Sequence, residues 1–65
     1  MPVVTIEWHE GRSIAQKKQL AEGITNEFAK IGTPAEKVTI IFRDVLKHNW
    51  ALGGKLAAET MVRPL

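Results

Sequence analysis

Pro2 follows Met1 and leads directly into Val3-Val4-Thr5-Ile6, an apolar, β-branched run that reads as a strand. Removal of the methionine makes Pro2 the N-terminus and turns its ring nitrogen from an amide into a secondary amine. The ring fixes φ, so that amine is held at the end of a strand. An α-amine has a reference pKa of about 7.7–8.0, and an apolar pocket lowers the pKa of a cationic acid. Such a group is a neutral base near physiological pH, suited to general acid–base work. The competing reading is structural, since proline is tolerated at a strand start, where no donor is needed. A peptide bond to Met1 abolishes the amine, so the chemistry depends on processing. A small residue after methionine normally permits it.

Arg12 is the second candidate. It stands just before a helix start, where a positive charge is mildly unfavourable with the helix dipole. A bound anion offsets that cost, and helix N-termini already favour anions; the plainer reading is a solvated side chain. Trp50 reads either as the wall of a pocket or as an interface aromatic, and the two roles are compatible. His9 and His48 titrate near neutrality, but neither lies beside a nucleophile or at metal-ligand spacing. His48 reads as a surface histidine and Trp8 as a residue of a subunit contact. Glu7, Glu10 and Asp44 form no carboxylate pair, and Gly53-Gly54 is a turn outside any phosphate-loop context.

The elements that must position these residues follow from the pattern. A first strand runs from about Pro2 to Trp8, with Pro2, Val4, Ile6 and Trp8 on one side and Val3, Thr5 and Glu7 on the other. His9 to Arg12 is a turn that uses Gly11. A helix begins at Ser13, whose S-x-x-Q pattern with Gln16 is a capping box. Leu20, Ile24, Phe28 and Ile31 make its apolar stripe, Lys17, Lys18, Glu22 and Lys30 its solvated directions, and Gly32 its end. Thr33-Pro34-Ala35-Glu36 repeats a start signal, with Thr33 as cap and room for one short turn. A second strand spans Val38 to Phe42 and continues towards Asp44. A crossover helix between the two strands makes them parallel. Lys47 to Trp50 is a turn or loop, Gly53-Gly54 a short hairpin, and Leu56 to Met61 weakly helical or irregular. The fold class is therefore α+β, a small β-α-β unit forming one domain over residues 1–65.

Sixty-five residues without cysteine carry no disulfide, and no Cys/His cluster suggests a structural zinc. Yet 45% of the residues are hydrophobic, more than so thin a core can bury. Oligomerisation is the expected outlet, and a two-stranded sheet with one helix leaves edges and a face for a second copy to cover. Nine basic and seven acidic residues give a net charge of +2, too weak and too mixed for nucleic-acid binding. Without a 20-residue apolar stretch or a basic-then-apolar leader, a membrane partner is not expected and the cytoplasm is the expected location.

Met1-Pro2, the strand, Glu10-Gly11-Arg12-Ser13, the amphipathic helix, the second strand, and Trp50 before Gly53-Gly54 together resemble the 4-oxalocrotonate tautomerase family, over essentially the whole chain. The resemblance implies a protomer dimerised through its sheet and assembled as a trimer of dimers, a homohexamer. It also implies a cofactor-free enzyme that moves protons in 2-hydroxy-dienoates or related enols to give unsaturated 2-oxo acids. In that family the N-terminal proline is the general base, a role that maps onto Pro2. The arginine of E-G-R binds a carboxylate of the small-molecule substrate or polarises its 2-oxo group, which maps onto Arg12. The aromatic before the double glycine walls the pocket and keeps the proline's pKa low, which maps onto Trp50.

One position departs from the family. Well-known members carry a second arginine on the second strand, where this chain has Thr39. Threonine donates a hydrogen bond but cannot make a bidentate, charge-assisted contact. Arg43 lies on the same face but roughly 13 Å further along the strand, so only a neighbouring chain's Arg43 or Lys37 offers a substitute. The departure motivates an alternative, a non-catalytic or partner-dependent subunit of a hetero-oligomer. A related proline-dependent hydration or decarboxylation ranks below simple tautomerisation, because no carboxylate is placed to position water.

Overall fold

The computed structural model describes residues 2–61. Strand β1 (Val3–His9) and strand β2 (Thr39–Val45) are joined by helix α1 (Ile14–Lys30). The strands pair in parallel, in a register that runs from Val3 opposite Thr39 to His9 opposite Val45. The β-α-β expectation holds. Both strands end later than the residue pattern suggested: β1 takes in His9, and β2 starts at Thr39 and reaches Val45. Pro2 lies just outside the strand, its carbonyl accepting the Thr39 N–H at 3.0 Å.

Helix α1 begins with the predicted capping box. The Ser13 hydroxyl accepts the Gln16 N–H at 3.1 Å, while the Gln16 side chain accepts the Ser13 N–H at 2.9 Å. It ends on Gly32 at φ +93°, with Gly32 N–H bonded to the Ala29 carbonyl and Thr33 N–H to that of Phe28. That pair of bonds needs a left-handed residue, which glycine supplies without steric cost. One 3₁₀ turn follows (Ala35–Lys37). Pro34 caps it, not Thr33, and no side chain contributes.

The helix face against the sheet differs from the predicted stripe. Its half-buried positions are Lys17, Ala21, Ile24, Thr25 and Phe28, so Ile24 and Phe28 face inward. Leu20 and Ile31 stay exposed, Ile31 at 76%. Apolar periodicity registers every face destined for burial, and in one chain the sheet covers only part of it. Lys17, expected in solvent, instead bonds Asp44 across the protomer at 2.5 Å.

After β2 the chain makes a second 3₁₀ turn (Lys47–Asn49), then a two-residue-strand hairpin, β3 (Ala51–Leu52) against β4 (Lys55–Leu56), and a single helical turn α2 (Ala57–Thr60). The hairpin loop is Gly53-Gly54, both at positive φ (62° and 80°), as a tight two-residue connection requires. Trp50 holds this arm down through its carbonyl, which accepts the Ala57 N–H at 2.7 Å.

Among the described residues only Ala57 is buried. The chain exposes 5261 Å², against about 4,100 Å² for a compact monomer of this mass. Its radius of gyration is 15.2 Å, where a compact chain of this length gives about 11 Å. Val3 and Ile41 lie open on the sheet face away from α1, and Leu52 stands 83% exposed on the hairpin. No helix among the described residues is long and apolar enough to cross a membrane.

Candidate functional site

Parallel strands carry their like ends to the same edge of the sheet, and this divides the candidate residues into two groups. At the end where β1 and β2 begin, Pro2 is half-buried next to Thr39, joined by the backbone bond already described. The Thr39 side chain faces the uncovered side of the sheet, and its hydroxyl makes no hydrogen bond among the described residues. Where the strands finish, the exit of β1 (Glu10 to Arg12) meets the exit of β2 (Lys47 to Trp50), tied by the Glu10 N–H to the Val45 carbonyl at 3.0 Å. Arg12 and Trp50 belong here. Pro2 is seven residues up the strand from His9, roughly 23 Å at ~3.3 Å per residue. One chain therefore brings Pro2 to Thr39, and Arg12 to the neighbourhood of Trp50, but does not unite the pairs.

Arg12 is held by an aromatic the sequence did not assign to it. Its guanidinium lies 5.4 Å from the ring centroid of Trp8, a cation–π contact. Trp8 in turn stacks on Phe42 at 5.2 Å and donates its indole N–H to Asp44 at 2.6 Å. Asp44 also accepts from Lys17. The Lys17 ammonium, seconded by the Trp8 indole, holds the Asp44 carboxyl below the usual carboxylate range. Within the protomer, Trp8 is thus the platform for the arginine. Trp8, expected at a subunit contact, instead packs within the protomer; the strand alternation that put it on one side with Val4 and Ile6 was the available signal, four residues before Arg12.

Trp50 is half-buried, with the His9 imidazole edge-on against it at 4.6 Å between centroids. The Nε2 atom of His9 is shut off from solvent and has no hydrogen-bond partner among the described residues. His48, by contrast, is exposed, as expected. A cavity of about 300 Å³ opens beside this cluster, lined by His9, Glu10, Arg12, Gln16 and Lys47 among others. A second, open groove of about 470 Å³ runs along α1 past Trp8, Arg12, Leu20 and Ile24. His9, weighed in the sequence and set aside, and Lys47, which sequence reasoning placed only in a turn, both line this cavity. Their meeting depends on two chain segments ending at one sheet edge.

Residues 2–59 match the family model described as tautomerase enzyme. A 2-hydroxymuconate tautomerase of Comamonas testosteroni is 38% identical over 60 residues, covering 91% of this chain and 95% of that protein. Among solved structures, TomN, a 4-oxalocrotonate tautomerase homologue of the tomaymycin biosynthetic pathway, superposes with a TM-score of 0.87 at 31% identity, over 92% of this chain and 94% of its own. The heterohexameric 4-oxalocrotonate tautomerase of Chloroflexus aurantiacus superposes with a TM-score of 0.81 at 33% identity, over 91% and 97% of the two chains. A match that starts at the proline, spans the β-α-β unit and includes the hairpin leaves one assignment: the chain belongs to the 4-oxalocrotonate tautomerase family, a family of isomerases.

Proposed function

We propose that the protein is a cofactor-free tautomerase of small 2-hydroxy-dienoates and 2-oxo acids, with Pro2, freed of Met1, as its general base. The observation that carries this reading is a proline at the open end of β1 in a protomer whose Arg12 meets no carboxylate among the described residues. The neutral amine of Pro2 takes the 2-hydroxyl proton of a dienol, or a proton from the carbon beside the 2-oxo group of a keto acid, leaving a dienolate. The resulting ammonium returns the proton to a carbon at another position of the dienolate, so that the amine is regenerated and a conjugated 2-oxo acid is released. Arg12 binds the carboxylate or the 2-oxygen as negative charge develops there. Trp50 walls the pocket, excludes water and keeps the amine's pKa low. Thr39, beside Pro2, supplies a neutral donor in place of a second cation.

Because Pro2 and Arg12 sit at opposite ends of one strand, the working site joins the end of one protomer to the other end of its neighbour. The uncovered apolar surface supports such an assembly, a homohexamer built as a trimer of dimers. The non-catalytic subunit reading gains no support from relatives that are themselves named as tautomerases. The test is a proton-transfer assay of protein shown by intact mass to lack Met1, with 2-hydroxymuconate and phenylenolpyruvate as substrates. Ketonisation faster than the buffer rate is expected with both. No acceleration of either enol overturns the reading.

A further inference from the structure

We infer that Lys47 joins Arg12 in a cradle for the substrate carboxylate, so that one end of the pocket clamps a single anion and the Thr39 end takes an uncharged group. This rests on the tautomerase reading and names its substrate class, small enols and 2-oxo acids with one carboxylate. Two observations converge on the cavity of about 300 Å³ at the exit of the two strands. Lys47 is half-buried there, yet forms no ion pair among the described residues. Arg12 lines the same cavity and also lacks a carboxylate partner among the described residues. His9 lines it too, but its Nε2 is closed to solvent within the protomer and does not face an anion in the cavity.

Glu10 is the one carboxylate on the cavity wall among the described residues. It bonds neither cation, so the two positive charges outnumber it and remain available. Arg12 is fixed from the other side by the Trp8 ring at 5.4 Å, which orients its fork without using its donors. The point charge of Lys47 complements that fork. An anion between them meets two cations within one small cavity. At the opposite end of the sheet, Thr39 offers no charge to a second carboxylate.

The experiment measures binding and turnover separately. Calorimetry with 3-phenylpropionate, which cannot tautomerise, and with its amide reads the cradle directly. Steady-state kinetics with phenylenolpyruvate reads the reaction, and sedimentation follows the assembly. The acid is expected to bind and the amide not. Lys47→Met should weaken the acid by about tenfold or more and raise KM to match, with kcat changed by no more than about threefold, as loss of one charge-assisted contact predicts. Lys47→Arg should restore binding. Equal affinity in wild type and Lys47→Met overturns the cradle, as does dissociation of the Lys47→Met assembly with no loss of binding per folded site. A wild type that binds the acid through Lys47 but turns over no enol keeps the cradle and overturns the tautomerase reading. Turnover with Lys47→Met indistinguishable from wild type does the reverse.

Discussion

Pro2 and Arg12 stand at opposite ends of β1, more than about 20 Å apart along a strand that rises ~3.3 Å per residue. No side-chain motion in one protomer closes that distance. On the proposed mechanism the base and the anion anchor for one small substrate come from two chains, which the exposed apolar residues of both sheet and hairpin are fit to bring together.

Mixing therefore restores activity. Pro2→Ala and Arg12→Ala proteins, each nearly inactive, are expected to regain about a quarter of wild-type sites when unfolded and refolded together in equal amounts, since each site draws its base and its anchor from different chains of the closed assembly. Active-site titration of the refolded mixture checks this. Activity no greater than the sum of the two variants would place both residues of a site in one chain. Sedimentation of the wild type should show an oligomer built on dimers, with no stable folded monomer at micromolar concentration.

Replacing Pro2 with alanine in protein lacking Met1 should remove most of the turnover but leave a remnant. The primary amine of an N-terminal alanine still accepts a proton, with a different pKa and less conformational constraint. The wild-type pH profile should show an essential group that ionises at or below about 7.7–8.0, the reference range of an α-amine. Unchanged turnover in the variant takes Pro2 out of the mechanism.

The wild type should gain little from a second carboxylate on its substrate, because Thr39 is neutral. Thr39→Arg is expected to raise kcat/KM for a dicarboxylate dienol by about tenfold or more, the worth of one contact of ~1.5–3 kcal/mol. Phenylenolpyruvate, with a single carboxylate, should respond little. Kinetics of both proteins with both substrates decide it, and strong dicarboxylate selectivity in the wild type would reveal a further cation at that end.

Asp44 makes stability depend on pH in a defined direction. Hydrogen bonds from Lys17 and then Trp8 lower its pKa in the folded protein. A depressed carboxyl stabilises the fold above its unfolded pKa of about 3.9, and that contribution fades as pH falls through the lower folded value. Asp44→Asn should lower the thermal midpoint at pH 7 and converge with the wild type in stronger acid. Melting curves at fixed protein concentration, from pH 7 into acid below the unfolded pKa of about 3.9, follow that loss. A pH-independent difference would mean that Asp44 acts through packing alone. Asp44→Ala, which removes the acceptor of the Trp8 indole N–H, should also raise KM, through Arg12.

The strand, helix and hairpin order was legible because each rests on local chemistry: β-branched runs, a Ser13–Gln16 capping box, and glycines at 32, 53 and 54 that take positive φ. The candidate residues Pro2, Arg12, Thr39 and Trp50 were legible from their types and from the family pattern. What only the tertiary structure decided is which of them meet. Parallel pairing sends the two strand exits to one edge, so His9, Arg12, Lys47 and Trp50 cluster there although up to 41 positions separate them. The same pairing leaves Pro2 with Thr39 at the far edge. The tight bond of Lys17 to Asp44, 27 positions apart, was hidden for a related reason. Periodicity reports that a side chain faces inward, but a polar contact across the fold depends on the offset between helix and sheet. Packing in three dimensions sets that offset, and no short-range rule of the chain encodes it.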